Sequence, residues 1–216
     1  MKRIVCVADS HCDYRWTFNL PEGDIFIHAG DIDIQCKEHL EYFNDVLKDL
    51  PFKYKIVIGG NHDIYLEEIG IFQIEQKLTN AIYLENCGID IEGLRFWGSP
   101  ISPEFNNWAF NRRRGDEIKK YWDLIPDNID VLVSHGPPYG ILDQTLMANG
   151  EFGPREGCLD LYKRVEELRQ NKLKLHIFGH FHSQYGIIEK NKTKFVNASV
   201  VNENYELVND PIVIDL

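Results

Sequence analysis

Five short stretches carry the residues best suited to chemistry: Asp9-Ser10-His11, Gly30-Asp31, Gly60-Asn61-His62-Asp63, His135-Gly136 and Gly179-His180-Phe181-His182. Each follows an apolar run of strand length. Together they offer carboxylates, a side-chain amide and several imidazoles, a mixture that suits borderline divalent metals such as Mn, Fe, Zn, Co or Ni. There are too many donors for one tetrahedral ion, and the number suits two. An aspartate can bridge such a pair, because each oxygen can face one metal. A single Gly-Asp is usually a turn, and a single Asn-His-Asp is an ordinary surface tripeptide. Five such endings in succession are hard to produce by chance.

The chemistry requires elements that deliver these residues to one place. Ile4–Ala8, Asp24–Ala29, Ile56–Ile58, Ile129–Val133 and Leu173–Phe178 read as buried strands, each stopping at one of the stretches. In α/β sheets, ligands bind beyond the carboxyl ends of strands. Gly59 and Gly60 let the backbone turn sharply there. Alternation in an extended backbone puts the two side chains of Asp-x-His, and of His-x-His, on the same side.

Between the strands, residues 36–50 carry Leu40, Phe43, Val46, Leu47 and Leu50 at helical spacing, with Pro51 as a stop. A second helix is expected over 66–78, with Ile69, Phe72 and Ile74 inward. Short helices are expected over 115–123 and 157–170. Residues 81–98 read as a meander of adjacent antiparallel strands, and 185–189, 194–198 and 212–216 as closing strands. Residues 99–114 read as a long loop in which Trp108 and Phe110 form a hydrophobic clamp, and 139–156 as irregular chain. The expectation is α/β: two mixed sheets packed face to face with helices outside, in one domain over 1–216 without a cap.

The chain has 216 residues, 44% of them hydrophobic, and a net charge of −11. That acidity argues against a long nucleic-acid track, which needs basic residues. Five cysteines with no Cys-x-x-Cys pair fit free thiols in a reducing compartment. Lys2-Arg3 runs straight into a strand, which leaves no room for a signal peptide, and no apolar run approaches the roughly 18 residues of a membrane span. The expected location is cytoplasmic. Partners are expected to be small molecules, with no membrane involved.

The five blocks, in this order, resemble the calcineurin-like metallophosphoesterases, whose motifs read D-x-H, G-D, G-N-H-[DE], [GS]-H and G-H-x-H. Phe96-Trp97-Gly98-Ser99-Pro100, Arg114-Gly115, Ser134-His135-Gly136-Pro137-Pro138 and Asn197-Ala198-Ser199 are similar to the metallophosphoesterase-domain-containing branch. The likeness covers essentially the whole chain and implies the αββα sandwich of that family. It also implies two divalent ions, manganese first. Asp9, His11, Asp31 and His182 would hold one, and Asp31, Asn61, His135 and His180 the other, with Asp31 shared. His62 would lie outside the coordination sphere as the catalytic histidine. Asn61, His62 and Arg114 would meet the substrate. Some members of the branch have lost a ligand histidine and are weak enzymes; this chain keeps every ligand position. It departs from the wider pattern at Ile34, where many relatives place an aspartate beside the catalytic histidine. Asp63 and backbone carbonyls are then the candidates for orienting His62.

The activity implied is hydrolysis of small phosphodiesters, 3′,5′- or 2′,3′-cyclic nucleotides included, by attack of a metal-activated water. The alternatives are a phosphomonoesterase or nuclease on the same scaffold, and a metal-bound scaffold without catalysis. None of the five blocks contains an arginine to hold the extra charge of a monoester, which favours the diester. Arg112-Arg113-Arg114 reads as a solvated loop, His28 and His176 as packed strand residues, and His39 as helix surface.

Overall fold

The computed structural model describes residues 1–216. In chain order the elements are β1 (Arg3–Val7), β2 (Ile25–Ala29), α1 (Lys37–Asp49), β3 (Tyr54–Ile58), α2 (Ile64–Lys77), β4 (Ile82–Tyr83), β5 (Cys87–Ile91) and β6 (Leu94–Ser99). Then follow β7 (Ser102–Pro103), β8 (Asn111–Arg112), α3 (Asp116–Trp122), β9 (Val131–Ser134), β10 (Gln144–Leu146), β11 (Phe152–Arg155), α4 (Leu159–Asn171), β12 (Leu175–Phe178), β13 (Gly186–Lys190), β14 (Thr193–Asn197) and β15 (Ile212–Asp215).

The central strands are apolar on both faces, so each face must be covered. Ile4, Cys6, Ile25, Ile27, Ile56 and Ile58 of one sheet meet Phe96, Val131, Val133, Leu175, Ile177 and Val196 of the other in a dry inner layer. The alternate residues Val5, Phe26 and Val57 face outward, as do Leu132, Phe178 and Phe195. They are covered by the apolar stripes of the helices, such as Leu40, Phe43 and Leu47 of α1 and Leu161, Val165 and Leu168 of α4. The strand order is β15-β1-β2-β3-β4 in one sheet and β13-β14-β12-β9-β6-β5 in the other. This is the expected α/β sandwich of two mixed sheets flanked by helices.

The parallel pairings matter most for the site. β1, β2, β3 and β4 run parallel to one another, and so do β6, β9, β12 and β14, with β15, β5 and β13 antiparallel at the edges. An isolated parallel bridge, Ala8 with Ser199, joins the two sheets just beyond β1 and β14.

Four expectations need correcting. The meander does not exist as one unit: β4 lies parallel on β3 in the first sheet, and only β5 and β6 form an antiparallel hairpin, in the second. Tertiary pairing, with the Leu84 N–H donating to the Val57 carbonyl, overrides adjacency in sequence. Phe72 faces solvent at 71% exposure. Gly70, at φ 72° and ψ 162°, breaks α2 and resets the helical phase behind it, so Ile74 is buried and Phe72 is not. The stretch 139–156 is less irregular than expected, because β10 and β11 pair as a hairpin. His39 is half-buried, and its Nδ1 is 3.0 Å from the Asp33 carbonyl.

Candidate metal centre

The turns after β1, β2, β3, β9 and β12 meet at one edge of the sandwich. Backbone bonds lace them together: Asp9 N–H to Gly30 O, His11 N–H to Asp31 O, and Gly179 N–H to His135 O. The His180 N–H crosses between the sheets to the Asp9 carboxylate at 2.8 Å. The backbone is not extended here. Asp9 (φ 53°), His11 (φ 42°), Asp31 (φ 53°) and His180 (φ 70°) all occupy the left-handed region, which side-chain-bearing residues seldom enter. Four such residues at one place concentrate backbone strain at this edge of the sandwich.

Two groups of donor atoms result. Asp9, His11 and His182 form one; Asp31, His135 and His180 form the other. Within each group the donor atoms lie within 4.8 Å of one another. The alternation argument is therefore corrected: Asp9 and His11 meet through a tight turn, and His180 and His182 separate into different groups. Asp31 stands between the two. Its Oδ2 lies 3.9 Å from His11 Nε2 and 3.3 Å from His135 Nε2. Asn61 joins the second group, with Oδ1 2.8 Å from His135 Nε2.

The side chains fit divalent ions. The Nδ1–H of His135 donates to the Ala29 carbonyl at 3.1 Å, and that of His182 to the Asn202 carbonyl at 3.0 Å. Carbonyls only accept, so these bonds fix the tautomer and turn Nε2 into the site as a lone pair, the usual support of a metal-bound imidazole. His135 Nε2, Asn61 Oδ1 and Asp31 Oδ2 then converge as acceptors, and such convergence calls for a cation or a proton. His11 Nε2 and Asn61 Nδ2 are buried without a protein partner. Electrostatics agree. Burial alone would raise the Asp31 carboxyl, but His135, His11 and His62 hold it below the usual carboxylate range. Burial lowers His135, yet Asp31, Asp9 and the Ala29 carbonyl lift it to about 9. His180 is pushed to about 3 by burial and by His135.

Glycines bring the carboxylates close. Gly59 and Gly60 lack the positive φ of a sharp glycine turn. Their role is close approach instead. A Cβ on Gly60 would overlap Asp31 Oδ1, and one on Gly179 would overlap Asp9 Oδ2. Gly30 serves in both ways, with φ 92° and the Gly59 carbonyl against it.

His62 lies beside the two groups. Its backbone N–H donates to Asp31 Oδ1 at 2.8 Å and its carbonyl accepts from Gln35 Nε2. Its ring packs against His11 (4.9 Å between centroids) and Trp108 (4.5 Å). Asp63 does not orient that ring. Its buried carboxylate accepts the N–H groups of Gly60, Ile34 and Ile32. Burial and Asp31 raise it to about 7.

A cleft of about 590 Å³ opens over these residues. Phe105 and Trp108 line one side, Thr145 and Leu146 of the β10–β11 hairpin another, and Glu203 and Tyr205 a third. Tyr205 lay outside every motif, yet its ring is 4.7 Å from His11 and 5.4 Å from His182. Its only sequence signal was the turn-forming Asn202–Asn204 stretch. Arg114 reaches the cleft, with its guanidinium donating to the carbonyls of Gly157 (2.8 Å) and Glu156 (2.6 Å). Arg112 and Arg113 point elsewhere, to Glu67 and Glu117. His28 and His176 are buried and bonded to Ser10 and Ser134, apart from both groups.

Residues 2–184 match the family model described as Calcineurin-like phosphoesterase. Metallophosphoesterase domain-containing protein 1 of Homo sapiens is 38% identical over 99% of this chain and 71% of its own length. A UPF0046 protein of Caenorhabditis elegans is 34% identical over 99% of this chain and 60% of its own. A solved crystal structure with 14% sequence identity superposes with a TM-score of 0.64 over 91% of this chain and 90% of that one, a likeness of fold alone. No helix is long and apolar enough to cross a membrane. With the family model spanning most of its length and a relative of the same kind matched over 99% of it, the chain belongs to the calcineurin-like phosphoesterase family, in the branch of metallophosphoesterase domain-containing proteins.

Proposed function

We propose that this chain hydrolyses small phosphodiesters, cyclic nucleotides among them, with two divalent ions of which manganese is the first choice. Asp9, His11, Asp31 and His182 would hold one ion, and Asp31, Asn61, His135 and His180 the other. The observation that carries the reading is the place of Asp31, whose Oδ2 faces His11 Nε2 on one side and His135 Nε2 on the other. When bound, such a pair neutralises phosphoryl oxygens and acidifies water at neutral pH.

The chain's own residues would do the rest. Asp31 holds the His62 backbone through its N–H, which sets the imidazole beside the donor groups. His62, protonated, would give its proton to the leaving oxygen, a role worth roughly 10²–10⁴ in rate. Trp108 and Tyr205 flank His62, at 4.5 and 6.4 Å between ring centroids. Arg114 has N–H groups beyond the two spent on carbonyls, and these would meet a phosphoryl oxygen. No arginine rises from the donor-bearing turns themselves, which supports a diester over a monoester dianion. Net charge −11 supports a small substrate over long nucleic acid.

The test is kcat/KM for bis-p-nitrophenyl phosphate, p-nitrophenyl phosphate and cyclic AMP with Mn²⁺. The diesters are expected to lead. A monoester preference of about tenfold or more, a difference of about 1.4 kcal/mol in the barrier, would overturn the substrate class.

A further inference from the structure

Nothing acidic orients the His62 ring. Asp63 is spent on three backbone N–H groups. Asp33 accepts from the Gln35 side chain. The polar ties of His62 are made by its backbone alone. A histidine χ2 torsion is broad, so the backbone does not decide where the ring nitrogens point.

We propose that Trp108 is the positioning residue for His62, setting the ring by aromatic packing in place of a carboxylate. This rests on the reading of His62 as proton donor to the leaving group. The indole lies 4.5 Å from the imidazole with 46° between planes, and His11 meets the same imidazole edge-on at 4.9 Å. The two together confine the ring. Trp108 is itself braced. The next residue, Ala109, donates its N–H to the Asn61 carbonyl at 3.1 Å, which ties the indole to the residue before His62. Phe110 donates to Glu67 Oε2 at 2.9 Å and seats its ring against Gly59, where a Cβ would come within 2.8 Å of Cε2. Asn106 (φ 52°) and Asn107 (φ 54°) reverse the chain, and Phe105 meets the indole edge-on at 5.5 Å. The loop over 104–110 is thus registered on the Gly59–His62 turn directly after Trp108, through Ala109 and Phe110, while Phe105 braces the indole from the other side in sequence. A donor must place its proton within about 2.6–3.2 Å of the leaving oxygen, so a ring free to swing would donate poorly.

Positioning predicts a dependence on the leaving group that general damage does not. The full chain reconstituted with Mn²⁺ is assayed on bis-p-nitrophenyl phosphate, whose leaving anion departs without a proton, and on diphenyl phosphate, whose anion leaves less readily. Trp108→Ala is expected to lose about tenfold more kcat on diphenyl phosphate than on the nitrophenyl ester. Trp108→Phe is expected to restore most of that difference. His62→Gln combined with Trp108→Ala is expected to be no worse than His62→Gln alone. In the chelated chain, free of paramagnetic Mn²⁺, the ring protons of His62, assigned by NMR through His62→Gln, are expected to shift on Trp108→Ala as the indole ring current is lost. Equal losses on both esters, additive losses in the double variant, or unmoved His62 ring protons would overturn the proposal. Were His62→Gln itself to lose equally on both esters, the donor reading would fail first, and the NMR shift would still report the contact.

Discussion

Asp63 Oδ2 accepts the backbone N–H of Gly60 at 2.7 Å, while its other oxygen takes that of Ile34 at 2.9 Å. One buried carboxylate therefore ties the turn carrying Asp31 to the turn carrying Asn61. The residue stands inside the Asn-His-Asp motif, but its work is to hold two backbones in register.

Asp63→Ala leaves those N–H groups buried without an acceptor. It is expected to cost about 2–4 kcal/mol of stability, as the loss of a buried acceptor shared by several backbone N–H groups does. Metal content per chain should fall as well, because both turns loosen. Denaturant midpoints and elemental analysis check this, and unchanged metal content would show that the register does not depend on Asp63.

Gly60→Ala and Gly179→Ala place a methyl on the Asp31 and Asp9 carboxylates respectively. Each is expected to lower kcat/KM about 10²-fold through misplacement of a donor, with the fold retained. Gly93→Ala, whose Cβ would meet nothing within 4 Å and which lies in the β5–β6 turn, is the control: its φ of 84° strains the turn but leaves activity intact. Full activity in both site variants would contradict the close-approach role of the glycines.

Burial drives the His176 imidazole down to about 3, from 6.5 in an unfolded chain. Above pH 6.5 both states are neutral at this position, and it contributes no pH dependence. Below that, the unfolded chain binds the proton first, so stability falls with pH from 6.5 toward 3. Between pH 7.5 and 5 the loss is about 2 kcal/mol. His176→Leu is expected to flatten the pH dependence of the urea midpoint by that amount. Ser134 keeps its bond to the Gly136 carbonyl, which limits collateral damage. The same slope in variant and wild type would show that His176 is not the titrating group.

Much of the fold was legible because both-faced apolar strands and their polar endings are local signals. Ile4–Ala8 and Asp24–Ala29 locate β1 and β2 to within a residue. The donor residues were legible for the same reason, since each follows its strand directly. What was hidden depends on contacts between distant segments. Ile82–Tyr83 resembles any short strand, and only its pairing with Ile56 and Val57 assigns it to the first sheet. Phe72 followed the helical period until Gly70 broke it. Tyr205 reaches His11 across a separation in sequence that carries no pattern. Asp63, beside a catalytic candidate, looked like its partner, and the competing demand of three buried N–H groups takes it elsewhere.

The sharing of Asp31 between two ions is the claim on which the rest depends. Asp31→Asn keeps the shape but removes the charge facing both His11 and His135. The most direct measurement is metal content per chain, with bis-p-nitrophenyl phosphate turnover, for the wild type and for Asp31→Asn and Asn61→Ala, after chelation and re-addition of Mn²⁺. The account predicts two ions per wild-type chain, turnover abolished by chelation and restored by Mn²⁺, and a larger loss of metal and activity in Asp31→Asn than in Asn61→Ala. Full turnover in exhaustively chelated protein, or two ions retained by Asp31→Asn with activity unchanged, would contradict it.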